Sequence, residues 1–476
     1  MTKSLMISQK DNYQANFGEV LRSSAIFYAI NSKTLTTIIS FSNYWKYKNN
    51  LDVCVLLNLR NLKGKLIYRK LINFDDIGVI NYSPPSSFEG SVEVEVFSIV
   101  NMRIPYAAIM AIYEANNSIS MVHSYSRIYS SHEIEEERVI VDGEESCWTV
   151  RDTEAVTSFA VFHNGAIKQK KQKIKLGIRN HTNLEKIIEF DIDALNAYET
   201  FIIEPKKHFD KIIDWLDGRP GNARISFKLN GGFTRMLCGN KTIDESQFQA
   251  THSNFNYSIH NTDTIKEGNL NAYMVTPNVP DKFIQDIIIY PDTSNGEYIV
   301  RGGGDEVNFS TGEMVKISNQ EHRGRKIIFN RKDKVLPTRI VTGMRVNSGK
   351  GIIPAECSLG VIHHNRMGKN FHWMVVSEKF NSVISWVKYN EVYGDCPSNA
   401  EFVFKIYSPN CKNPIEKKYL SHELPNDNKI NLREIFDAPV RLKDEFGYLT
   451  VWCSYSGLTV FSSLEKKNSF SIEHSF

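Results

Sequence analysis

The chain has 476 residues, of which 41% are apolar and 23% charged, with 27 Phe, 21 Tyr and 6 Trp. At roughly 100 to 200 residues per domain this is enough for about three or four domains, and the composition excludes a mainly disordered chain. With 57 Lys and Arg against 54 Asp and Glu the net charge is only +3, without the basic excess that counterion-release binding requires, so no nucleic-acid partner is expected.

The first twenty residues read as a polar lead-in without the sustained apolar core of a secretory signal. Seven cysteines are scattered with no CxxC spacing, which fits neither a disulfide framework nor a zinc knuckle. No apolar run approaches the 18 or more residues of a membrane span. Together these features point to a reducing cytoplasm and to no membrane span.

From residue 21 onward one pattern recurs. An aromatic-x-aliphatic start appears as Tyr28-Ala-Ile30, Trp148-Thr-Val150, Tyr273-Met-Val275 and Trp373-Met-Val375, at intervals of 120, 125 and 100 residues. Such a period is that of whole domains, each able to hold its own core. Every start is followed by an alternating segment that ends in histidine: Ser-Met-Val-His123, Gln-Ala-Thr-His252, Gly-Val-Ile-His363 with His364, and Ser-Ile-Glu-His474.

Between the two markers lie matching strand-like segments, Thr37-Ile-Ile-Ser-Phe41, Ser158-Phe-Ala-Val-Phe162, Gln285-Asp-Ile-Ile-Ile289 and Ser382-Val-Ile-Ser-Trp386. Alternation at period two is clearest in Gln172-Lys-Ile-Lys-Leu-Gly-Ile178. Turn formers such as Asn164-Gly165 and Asn230-Gly231-Gly232 separate them. The spacing predicts an all-β chain of four tandem antiparallel β-sandwich repeats of immunoglobulin-like size, at 21–138, 139–266, 267–369 and 370–476. One short helix is predicted where Phe209, Ile212, Ile213 and Leu216 recur at helical spacing before Gly218 and Pro220. The third repeat is the most divergent, interrupted by Arg301-Gly-Gly-Gly-Asp305. The lysines from Lys168 to Lys175 read as an exposed face that discourages edge pairing.

The recurrent histidine is the strongest candidate for chemistry, since it titrates near neutrality. It also has a structural reading, as a strand-end group that ties down a neighbouring loop. Polar neighbours favour function in two repeats: Tyr125 and Arg127 follow His123, and Arg366 follows His364. A histidine beside arginine suits hydroxyl, carboxylate or phosphate groups. The candidate ligand-binding residues are therefore His123, Tyr125, Arg127, His252, His364, Arg366 and His474, with Trp148 and Trp373 as stacking rings for a sugar or, more simply, as core. His363 and His364 point to opposite faces of a strand and do not share an ion, so no metal and no cofactor is expected. Gly343 to Gly351 only superficially resembles a phosphate-binding loop, because the glycine spacing is wrong and Gly351 replaces the magnesium-binding hydroxyl.

The second repeat, from Cys147-Trp148-Thr-Val150 through Ser158-Phe-Ala-Val-Phe-His-Asn164 to the strand ending at His252, resembles the small sandwich of the sensory rhodopsin transducer family. The resemblance implies a β-sandwich binding module for a sugar-like ligand or a protein partner. Repeated architecture without repeated catalytic motifs predicts a non-catalytic protein that binds a polar ligand or glycan, or scaffolds partners. The rivals are an enzyme or accessory factor of carbohydrate or cell-surface polysaccharide metabolism, using His123 with Arg127 or His364 with Arg366, and a structural, phage-type assembly protein that self-associates through strand edges.

Overall fold

The computed structural model describes residues 22–474 except 75–77, 99–103, 105–107, 124–126, 130–139, 231–234, 256–270, 303–304, 319–323, 325, 338, 350, 362–367, 410, 437–439, 441 and 443–444. The acidic run from His132 to Arg138 lies outside the described residues.

Eight strands form the first repeat: β1 (Arg22–Asn31), β2 (Leu35–Phe41), β3 (Val53–Asn61), β4 (Leu66–Ile72), β5 (Ile80–Tyr82), β6 (Phe88–Ser98), β7 (Ile109–Ala115) and β8 (Ile119–His123). They pair as β4-β3-β6-β1 and β5-β2-β7-β8, and a ninth strand, β9 (Arg127–Tyr129), adds to β1.

The second repeat comprises β10 (Ile140–Val150), β11 (Val156–His163), β12 (Gln172–Arg179), β13 (Glu185–Ile192), β14 (Thr200–Ile203), β15 (Gly221–Asn230), β16 (Leu237–Thr242) and β17 (Phe248–His252), with β18 (Asn254–Phe255) on β10. The third runs through β19 (Ala272–Val275), β20 (Ile284–Ile289), β21 (Glu297–Gly302), β22 (Asp305–Ser310), β23 (Val315–Ser318), β24 (Lys326–Arg331), β25 (Thr342–Asn347) and β26 (Ala355–Leu359). The fourth holds β27 (Phe371–Ser377), β28 (Val383–Lys388), β29 (Glu401–Ser408), β30 (Cys411–Leu420), β31 (Lys429–Asn431), β32 (Phe446–Cys453), β33 (Leu458–Lys466) and β34 (Ser469–His474).

All four repeats share one strand order, fourth-third-sixth-first and fifth-second-seventh-eighth, antiparallel throughout; these are two sheets in the last three repeats, and in the first the β1–β2 pairing joins them into one nine-stranded sheet. The chain is thus all-β and built from repeats, as the sequence predicts. Alternation explains the layering: in β12 Ile174, Leu176 and Ile178 are buried while Lys173 and Lys175 stay exposed. The core of the second repeat joins Trp148 and Ile174 of one sheet to Phe162 and Cys238 of the other.

Two expectations need correction. Four short α-helices are present among the described residues rather than one: α1 (Tyr44–Asn49), α2 (Ile212–Leu216), α3 (Asn390–Tyr393) and α4 (Leu432–Phe436). None is longer than six residues; α2 is the one predicted from its spacing, and the other three are too short to print a periodic pattern. The Asn43 side chain caps α1 by accepting from the Lys46 N–H, and Asn50 ends it in the left-handed region. The lysine-rich strand is not an edge. β12 lies between β13 and β15, and Lys171, Lys173 and Lys175 meet Asp191 and Glu189 of β13.

The eighth strands organise the whole chain. β8 packs on β17, β17 on β26, β26 on β34 and β34 on β8, closing a ring of four around a common axis. Serine hydroxyls stitch it together. Ser118 and Ser120 Oγ donate to the Phe248 and Ala250 carbonyls and accept from the same residues' N–H groups, and Ser469 and Ser471 Oγ accept from Ile119 and Met121 N–H. Both pairs advance in the same direction, so the neighbouring strands run parallel. The sense is head-to-tail, fourth repeat to first and first to second, the interface type that generates rings. The hairpin tips follow it: Lys467 reaches Asn117, the Asn117 N–H donates to Ser246, and Gln247 bonds Gly351.

Candidate functional site: three histidines and a basic cavity

Register fixes which residues are equivalent. His123 faces Met110, His252 faces Leu237, Leu359 faces Thr342 and His474 faces Phe461, each at the same place in its closing hairpin. The third repeat therefore carries Leu359 at the ring position, not His364. His364, with His363, Arg366 and Tyr125, lies outside the described residues, as does the side chain of Arg127.

Because the four strands run parallel about one axis, their ends converge. His123, His252 and His474 offer ring nitrogens that all lie within 4.8 Å of one another. The His123 ring meets His252 edge-on at 4.7 Å between centroids and His474 at 4.9 Å. His123 and His252 are buried, at 2% and 3% exposure. Burial pushes the His123 imidazole down to about 3, with Arg235 adding repulsion, and holds His252 well below its usual value by the same two causes. Both are neutral at physiological pH. His123 Nδ1 bonds Glu473 Oε2 at 2.9 Å, and His252 Nδ1 donates to the Ser253 carbonyl at 2.8 Å.

Beside this cluster a cavity of about 170 Å³ opens between the second, third and fourth repeats. His252 and His474 form part of its wall, and Arg235, Arg339, Lys369 and His372 complete a cationic and imidazole lining with no carboxylate among the described residues. The His372 ring is buried and lowered to about 3, by burial first and Lys369 second. Tyr389, Tyr393 and Ser456 add hydroxyls. Sequence reading missed Arg235, Arg339 and Lys369, since they stand far apart along the chain, in the second repeat, the third repeat and the seam before the fourth, and only ring closure collects them.

Two candidates are corrected. Trp148 and Trp373 are each 1% exposed, Trp148 in the core of the second repeat and Trp373 against Tyr44 of the first repeat, where no external sugar stacks on them. Trp373 lies flat on Tyr448 at 5.4 Å, a packing role.

No protein-family model matches the chain, and no curated protein matches it. Among the described residues no helix is long and apolar enough to cross a membrane.

Proposed function

We propose that the chain is a binding protein for a small anionic ligand, of the class of phosphorylated or acidic sugars, held in the cavity between the second, third and fourth repeats. The observation that carries this reading is the lining itself: Arg235 of the second repeat, Arg339 of the third and Lys369 at the seam before the fourth bring three cationic groups to one cavity wall. A guanidinium presents the fork that phosphate and carboxylate fit, and an ammonium adds a point charge for the same anion. Tyrosine and serine hydroxyls in the lining suit sugar hydroxyls. The reading gives the binding role implied by the second repeat's resemblance a specific place.

Calorimetric titration with glucose 6-phosphate, glucuronate and glucose tests it. The charged compounds should bind and glucose should not. Arg339→Ala and Lys369→Ala should each weaken binding by about 10- to 100-fold, the worth of one charge-assisted hydrogen bond. Equal heats from wild type and the double variant would remove the cavity from consideration.

Self-assembly is favoured by a different observation. β4 is the outer strand of its sheet, and Leu66, Ile67, Tyr68 and Leu71 on it are exposed at 37–64%. Free strand edges with apolar side chains pair readily with another copy. Light scattering of the wild type should then give a multiple of the chain mass that Ile67→Lys with Leu71→Glu returns to one; a wild-type monomer at high concentration ends this reading.

A further inference from the structure

We infer that His123, His252 and His474 form a binding site for a first-row divalent cation, zinc by preference, at the end of the axial ring, with an open coordination position facing the basic cavity. Three observations carry it. First, the three imidazoles come from three repeats and meet at one level of the axis, their nitrogens within 4.8 Å. A tetrahedral zinc with bonds of about 2.0–2.1 Å sets its nitrogens roughly 3.4 Å apart, a distance that small side-chain rotations reach.

Second, the outer partners are those of metal-binding histidines. His252 gives its Nδ1–H to a backbone carbonyl and His123 Nδ1 is held by the Glu473 carboxyl. At His252 the carbonyl fixes the tautomer and leaves Nε2 as the donor atom, and at His123 the carboxyl orients the ring. Third, His252 Nε2 and Glu473 Oε1 are buried without any hydrogen-bond partner, at residues 3% and 2% exposed. A lone pair left so in the interior is costly, and a cation satisfies it.

Leu359 at the fourth ring position supplies no ligand. It lines the same cavity as His252 and His474, so the vacant coordination direction is the one an anion or water from the cavity fills. Three neutral imidazoles with one exchangeable position suit Zn²⁺, Cu²⁺ or Ni²⁺ rather than Ca²⁺ or Mg²⁺, which demand oxygen. Arg235 nearby disfavours a cation, which the three imidazole ligands must outweigh.

The deciding measurement uses the full native chain without an affinity tag. Equilibrium dialysis should give about one Zn²⁺ or Co²⁺ per chain, Co²⁺ should show intense visible bands of low coordination number, and spin-echo modulation of the Cu²⁺-loaded chain should count three imidazoles. His252→Gln and His474→Gln should each lose more than about 100-fold in affinity, and Glu473→Gln about 10- to 100-fold, the usual effect of an outer partner. His422→Gln, at an exposed position, should change nothing. Because loss of a buried imidazole can unfold the chain, the wild-type spectra decide on their own: no uptake, or fewer than three coordinated imidazoles, overturns the site. Unchanged affinity in a folded His252→Gln variant overturns it equally. Arg339→Ala and Lys369→Ala should leave metal uptake intact, so failure of the anion reading and failure of the metal site are told apart.

Discussion

Replacing Glu356 by alanine is expected to destabilise the chain by about 3–5 kcal/mol, the cost of leaving a buried charge without its partner. Glu356 stands on β26 between two guanidiniums: Arg151 of the second repeat at 3.2 Å and Arg345 of its own hairpin at 3.3 Å. All three side chains are at most 17% exposed. Burial, and then the neighbouring Arg345, pushes the Arg151 guanidinium down to about 10 even with Glu356 in place. Without the carboxylate the two cations face each other across the boundary between repeats, which weakens the axial ring there.

The pH dependence follows from the same triad. Burial raises the Glu356 carboxyl, but Arg345 and Arg151 outweigh it, so the folded value lies below the usual 4.5. A carboxyl lowered on folding contributes stability that is present above its unfolded value and is lost as pH falls through its folded value. Urea midpoints should therefore hold near neutrality and decline below about pH 4.5, and Glu356→Gln should flatten that part of the decline. A loss under about 1 kcal/mol in Glu356→Ala, measured by urea unfolding, would mean that solvent already screens the triad.

What could be read from the sequence was whatever repeats locally. Period-two alternation in Gln172 to Ile178 and the recurrence of Ser158 to Phe162 in three other places describe strands that bury one face, and neighbours along the chain decide that. Histidine at the strand end was legible for the same reason, since His123, His252 and His474 each close a hairpin. Their convergence was not, because it depends on four strands packing parallel around an axis, with partners separated by 130 to 350 positions. The misplacement of the third histidine has a similar cause. Without the pairing of Leu359 to Thr342, a chain search slides to the nearest histidine, His364. Short helices such as α1 rest on caps and on the buried rings of Tyr44 and Trp45, features with no periodic signature.

Trp373→Ala is expected to cost about 3–5 kcal/mol, as large-to-small changes of a buried aromatic do, and the manner of unfolding says more than the amount. The ring belongs to β27 in the fourth repeat, stacks on Tyr448 of β32, and meets Tyr44 of α1 in the first repeat edge-on at 6.4 Å. One continuous apolar cluster contains it together with residues of the first and second repeats, among them Phe159 and Phe248. An open array of repeats unfolds approximately one unit at a time and needs capping ends. A closed ring has no ends: each repeat loses two interfaces if it leaves. The cavity left by Trp373 should therefore move the midpoint of the whole chain, with tryptophan fluorescence and far-ultraviolet circular dichroism shifting together in urea. If the fourth repeat unfolded alone, giving a separate early transition in fluorescence while the remaining strands persisted, the ring would be a string of independent sandwiches, and the axial histidines would lose His474 before the others. Coincident transitions tie the integrity of that site to every repeat at once.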